Sequence, residues 1–142
     1  MNAQIIEKLD KARYNAWLVQ TIGFGLFVGL LITQRITNNE STSLFVATGV
    51  GVLAFLAGTF WKNVVFQKIR SDSKTKEALN NELYIQYGYK TYYWAFWAFL
   101  LALLILIYVA RFLSLDTTTA CLIAIYTGAL TRQIATLVYY RR

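Results

Sequence analysis

The chain contains no proline, no histidine and a single cysteine, Cys121. One cysteine rules out an intrachain disulfide and leaves the redox compartment unmarked. Placed inside an apolar run, it reads as a small packing residue. Without proline there is no signature of the sharply broken helices that turn backbone carbonyls toward ions. Apolar runs fill residues 16–34, 43–61, 91–110 and 119–138; they hold no Asp or Glu, and their one charged side chain is Arg132. Proton transfer and metal binding need titratable or ligating groups at the reacting level. Their scarcity predicts that the protein is not an enzyme and that no metal site or cofactor is built in. It also argues against proton-coupled export of the small multidrug type, which needs a carboxylate in the membrane.

What the chain does have is apolar length. Of its 142 residues 57% are hydrophobic, yet the formal charge is +7. Each run of about 19 residues reaches roughly 29 Å as a helix, the thickness of a bilayer's hydrocarbon core. The expected fold is an all-α integral membrane protein, a four-transmembrane-helix bundle made of two helical hairpins in one domain over 1–142. Its parts are an amphipathic helix at 1–15, spans at 16–34, 43–61, 91–110 and 119–138, and a helical connector at 62–90.

The basic residues gather in three places. Lys8, Lys11 and Arg13 precede the first run, Lys62, Lys68, Arg70, Lys74, Lys76 and Lys90 separate the middle two, and Arg141 and Arg142 end the chain. Only Arg35 and Arg111 occupy the two short loops. By the positive-inside rule both termini and the connector are cytoplasmic, in a cell membrane crossed several times. Trp17, Trp61, Trp94, Trp97, Tyr92 and Tyr139 fall at the same ends and form an interfacial belt, with Tyr108 and Phe112 as a thinner outer one. Too little chain remains outside the spans for a folded basic surface that would bind nucleic acid. A full-length first span without a small-x-small cleavage site predicts an anchor rather than a removed signal.

Ile5, Ile6, Leu9, Ala12 and Ala16 share one helical face opposite Lys8 and Lys11, and Glu7 sits four residues before Lys11. This segment is either a partner-binding arm or a lead-in helix on lipid headgroups. The second helix is expected to continue through Ile69 and break at Ser71, Asp72 or Ser73. Leu79, Leu83 and Tyr87 then recur every four residues, predicting a helix over 74–87, with a bend at Gly88. The connector at 62–90 is the candidate contact for a protein partner.

The outer loops match at a constant offset: Arg35, Glu40, Ser41, Thr42 and Ser43 correspond to Arg111, Asp116, Thr117, Thr118 and Thr119. Either the chain is a tandem duplication of one hairpin, or both loops converged on hydroxyl caps after an acidic residue. Small residues at four-residue spacing mark helix-packing faces: Gly25 with Gly29, Ala47 with Gly51, Ala54 with Gly58, and Ala124 with Gly128. The third span is bulky and is expected to face lipid on much of its circumference.

Arg132 lies about 9 Å of helix inside the end of the fourth span. Gln20, Thr21, Thr59 and the adjacent Gln133 fall at comparable depth. They form a candidate polar cluster for an anionic headgroup or a vestibule; alternatively Arg132 snorkels to the interface.

Asp72, Lys74, Thr75, Lys76 and Glu77 fit, by identity or charge, the D-E-R-T-R-E segment of small uncharacterised four-span bacterial membrane proteins, with Ser73 departing from it. The chain resembles that group over these residues and in its span arrangement, which implies a bacterial cytoplasmic membrane and no defined activity. The functional expectation is non-enzymatic association with itself, lipid or a protein partner, as an accessory or regulatory subunit. The alternative is an oligomeric pore or transporter whose anion preference is set by Arg132.

Overall fold

The computed structural model describes residues 3–38, 41–71, 82–109, 112 and 115–140. Four helices account for nearly all of them: α1 (Ala3–Thr37), α2 (Thr42–Ser71), α3 (Glu82–Val109) and α4 (Thr117–Tyr140). All four are long and apolar enough to cross a membrane. The leucine-, alanine- and phenylalanine-rich runs, uninterrupted by proline, give each helix its length.

The helix ends are made locally. Asn38 adopts a left-handed conformation at φ 48° immediately after α1, a position that asparagine tolerates because its short amide bonds nearby backbone. Ser41 caps α2 through its hydroxyl to the Leu44 amide at 3.4 Å. Asp116 caps α4 by accepting the Thr119 amide at 3.1 Å. These caps stand one residue out of register with the loop correspondence described above. The two loops therefore reach the same capping chemistry with non-equivalent residues, Ser41 and Asp116.

α1 runs without a break from residue 3 through the expected first span. With 35 residues it is about 52 Å long, and the 30-residue α2 is about 45 Å. Both exceed a bilayer's hydrocarbon thickness, and their surplus lengths pair with each other. Ile6, Leu9 and Ala12 of α1 pack on Val65 and Ile69 of α2. The apolar face at the start of α1 is thus partly covered by α2, while Ile5 stays exposed. α3 is likewise continuous through Gly88, and the expected bend there does not occur. Gly88 has open space around its α-carbon and keeps helical geometry.

The packing order is α2, α1, α4, α3. α1 pairs with α2, α4 with α3, and the two hairpins meet along an α1–α4 seam. Among the described residues no corresponding seam joins α2 to α3. A twofold-related pair of hairpins would make an α2–α3 seam to match the α1–α4 one, and among the described residues the two are not alike. Phe24 of α1 lies at the inner corner, its ring 5.9 Å from that of Phe55 on α2 and 5.8 Å from that of Tyr126 on α4.

Glycine sets how closely the helices approach. A β-carbon on Gly58 would collide with the Gln20 backbone and one on Gly23 with the Phe55 backbone; one on Gly51 would come to 2.7 Å from the Phe27 amide nitrogen. The α1–α2 seam is therefore backbone against backbone. Gly25 and Gly29 face the Tyr126 hydroxyl, which donates to the Gly25 carbonyl at 3.1 Å. Gly128 meets Ala95 and Phe99 of α3, and Ala124 is completely buried. Ala47 and Ala54 are half-buried. No residue in the most apolar stretch of α3 is buried, so its outer surface is open, as its bulky sequence predicts.

Candidate functional site

The antiparallel pairings place Gln20, Gly58, Tyr92 and Gln133 at one level, toward the end that carries Arg13 and Lys62. This basic end is where the polar residues concentrate. The expected cluster is only partly assembled there. Thr21 and Thr59 spend their hydroxyls on their own helices, donating to the Trp17 and Phe55 carbonyls at 2.8 Å each. Back-bonding of this kind satisfies a hydroxyl in apolar surroundings without presenting it to a ligand. Gln133 keeps a buried side-chain oxygen, Oε1, that finds no hydrogen-bond partner among the described residues.

Gln20 is buried, and its Oε1 accepts a hydrogen bond from the Lys62 ammonium at 2.9 Å. Lys62 also stands over the Trp17 ring, 4.6 Å from its centroid. The sequence reading counted Lys62 only as a topological charge. Nothing in its local pattern links it to Gln20, because the link depends on how closely Gly58 lets the two backbones approach.

Arg132 is exposed on α4 and does not enter a closed core. Its guanidinium lies 4.1 Å from the centroid of the Tyr92 ring on α3, a stacking geometry that holds the planar group without neutralising it. Its charge nevertheless acts on the Lys62 ammonium. Lys62 on α2 and Arg132 on α4 are thus both cations of the basic end. Each is oriented by a neutral partner, Gln20 in one case and Tyr92 in the other.

Deeper in the α1–α4 seam, at the same end, Arg13 is buried with an ion pair to Asp10 and a ring contact to Tyr140, 4.9 Å from the centroid. The Asp10 pair lies within α1, and its removal would leave Arg13 buried without that counter-charge; the contact with Tyr140 joins α1 to α4. Beside it Trp94 donates to the Tyr139 hydroxyl at 3.1 Å, and Tyr87 stacks on Tyr139 at 5.2 Å. These contacts lock α3 to α4 at the level of the expected aromatic belt. Beyond them, the paired extensions of α1 and α2 leave a groove of about 620 Å³, lined by Ile5, Leu9, Trp61 and Val64 together with Lys8 and Lys68.

At the opposite end Arg35 and Asp116 approach to 3.9 Å, joining the two loops. The Asp116 carboxyl is held below its ordinary range by its hydrogen bonding to Thr119 and by the nearby Arg35 charge. Glu40 and Arg111, the other charged pair of the loop correspondence, lie outside the described residues. So do Leu79 and the segment from Asp72 to Glu77 on which the bacterial resemblance rests.

Fold and site together define a class: an all-helical chain whose four long helices are able to cross a membrane, with Lys62 and Arg132 each held by a neutral partner toward one end. No family model, no curated protein and no solved structure matches the chain.

Proposed function

We propose that the protein is a non-enzymatic, multi-pass membrane protein that acts by lateral association with itself, lipid or a protein partner, as an accessory or regulatory subunit. The observation that carries this reading is the packing order. Among the described residues α3 has its main packing with α4, and no comparable seam joins it to α2. In lipid the apolar surface of α3 carries no penalty, but a missing helix–helix seam forgoes the van der Waals packing and interhelical bonding that drive association in a bilayer. Another copy, a partner helix or an ordered lipid supplies those contacts. Both termini face the cytoplasm, on the strength of the basic residues and aromatic rings at that end. The test is particle mass by light scattering in mild detergent, with native mass spectrometry of what co-purifies. A bare monomer retaining neither lipid nor protein would sink the reading.

A second reading is favoured by the exposed Arg132 stacked on Tyr92: an oligomeric pore or transporter in which Arg132 selects anions. Chloride flux in liposomes, abolished by Arg132→Leu, is its signature. Sealed liposomes at high protein loading would remove it.

A further inference from the structure

We infer that the groove between the projecting ends of α1 and α2 receives an amphipathic helix of a protein partner, one whose apolar stripe is flanked by carboxylates. This deepens the association reading by naming the partner's chemistry, and it rests on that reading's placement of the helices in a bilayer. The groove, about 620 Å³, is walled by Ile5, Lys8 and Leu9 of α1 and by Trp61, Val64 and Lys68 of α2. Both walls stand at the basic end, beyond the point where Gly58 meets the Gln20 backbone.

Distance from the membrane limits what fills it. Ile5 stands about 16 Å of helix ahead of residue 16, where the expected first span begins, and Lys68 about 10 Å beyond residue 61, where the second ends. Headgroups add roughly 5–8 Å to each side of the hydrocarbon. Acyl chains therefore stop short of most of the groove, and water faces it. Apolar surface is costly there, as it is not in lipid, yet Ile5 is 51% exposed and Trp61 40%. A partner's apolar side chains take that surface out of water. Ile5 and Leu9 are one helical turn apart, as are Trp61 and Val64, so the walls present ridges between which a helix lies.

Charge selects the partner. Lys8 on one wall and Lys68 on the other are both exposed, and neither has an ion pair among the described residues. Among the described residues no carboxylate lines the groove; Asp10 is paired with Arg13, and Glu7 lies outside the lining. A second copy docked groove to groove would set lysine against lysine. An acidic segment instead meets an opposite charge on each wall, which steers and orients it.

The full-length protein in phosphatidylcholine nanodiscs, which leave both faces accessible, is titrated with fluorescein-labelled peptides of about four helical turns, and binding is read by anisotropy. One peptide repeats Leu at helical spacing with Glu on either side of the stripe, a second carries Lys in place of Glu, and a third scrambles the first. The acidic amphipathic peptide is expected to bind, and the other two are not. Lys8→Glu combined with Lys68→Glu weakens it by about 10-fold and admits the lysine peptide. Ile5→Ser weakens it with the charges intact. Lys11→Glu with Arg70→Glu makes the same charge change outside the groove lining and has little effect. Circular dichroism confirms that each variant is folded.

Equal loss from the Lys11 and Arg70 variant would reduce the effect to general surface charge and overturn the assignment. So would an unchanged affinity in the Lys8 and Lys68 variant, or equal binding of the scrambled peptide. Displacement of the peptide by phosphatidylglycerol, with that lipid's retention in native mass spectrometry lost on Lys8→Glu and Lys68→Glu, would give the groove to lipid and overturn it as well. Chloride flux in liposomes with peptide binding intact would remove the association reading and leave this one standing. Absence of peptide binding by a protein that still co-purifies with lipid or further copies would remove this one alone.

Discussion

A missing β-carbon is the smallest feature with a large consequence in this molecule. Gly23 and Gly58 let the α1 and α2 backbones touch. Gly58→Ala or Gly23→Ala is expected to cost about 1–3 kcal/mol, the range typical of overpacking, in reversible unfolding from mixed micelles. Gly49→Ala, with open space around it, should be silent. Gly25→Ala should be mild as well, because its new methyl would meet Leu130 and the Tyr126 hydroxyl at ordinary contact distances. The four-residue spacing rule had selected Gly25 and passed over Gly23, which has no small residue four positions away. Spacing along one helix reports a small-residue face but not which neighbour it receives.

Asp116 offers a titration at the same level of detail. Its carboxyl is depressed by Thr119 first and Arg35 among the lesser causes. A group with a lowered folded value stabilises the fold above its unfolded value, about 4, and that contribution disappears as the pH falls through the folded value. The Thr119 amide should therefore lose protection from hydrogen exchange on acidification, beginning below about pH 4. Asp116→Asn should flatten that profile. An equally steep profile in the variant would assign it to another group.

Among the elements, α3 is the least secured. Among the described residues its main packing is with α4, through Gly128 against Ala95 and Phe99 and through the Trp94, Tyr87 and Tyr139 ring contacts. Gly128→Leu should pry α3 from α4 while leaving the glycine-mediated α1–α2 pair intact. Hydrogen exchange in nanodiscs would then rise selectively in peptides of α3 and α4. A uniform rise across all four helices would mean that the hairpins unfold as one unit. Turn and capping residues bound the helices at the other end: Asn38 follows α1, Ser41 caps α2 and Asp116 caps α4, while the expected break after Ile69 runs into residues outside the described ones. The sequence reading erred at Gly88, because one glycine costs a helix only about 1 kcal/mol and its neighbours outweigh that.

At the level of the whole molecule, α1 and α2 are longer than a membrane is thick, so their paired ends project from the proposed cytoplasmic face. With Cys121 replaced, a cysteine at Thr37 should react with an impermeant maleimide from outside intact cells, and one at Ser71 only after lysis. The opposite pattern would invert the topology. The four apolar lengths able to cross a membrane were evident without coordinates, because they follow from transfer of side chains between water and lipid. Which helices touch was not. Lipid tails and neighbouring helices are equally apolar, so hydrophobicity does not choose between them, and the choice falls to backbone approach at glycines and to a few interhelical bonds. That is why only the tertiary structure joined Lys62 to Gln20, set Arg132 against Tyr92 rather than in a closed polar core, and left the described residues of α2 and α3 without a seam.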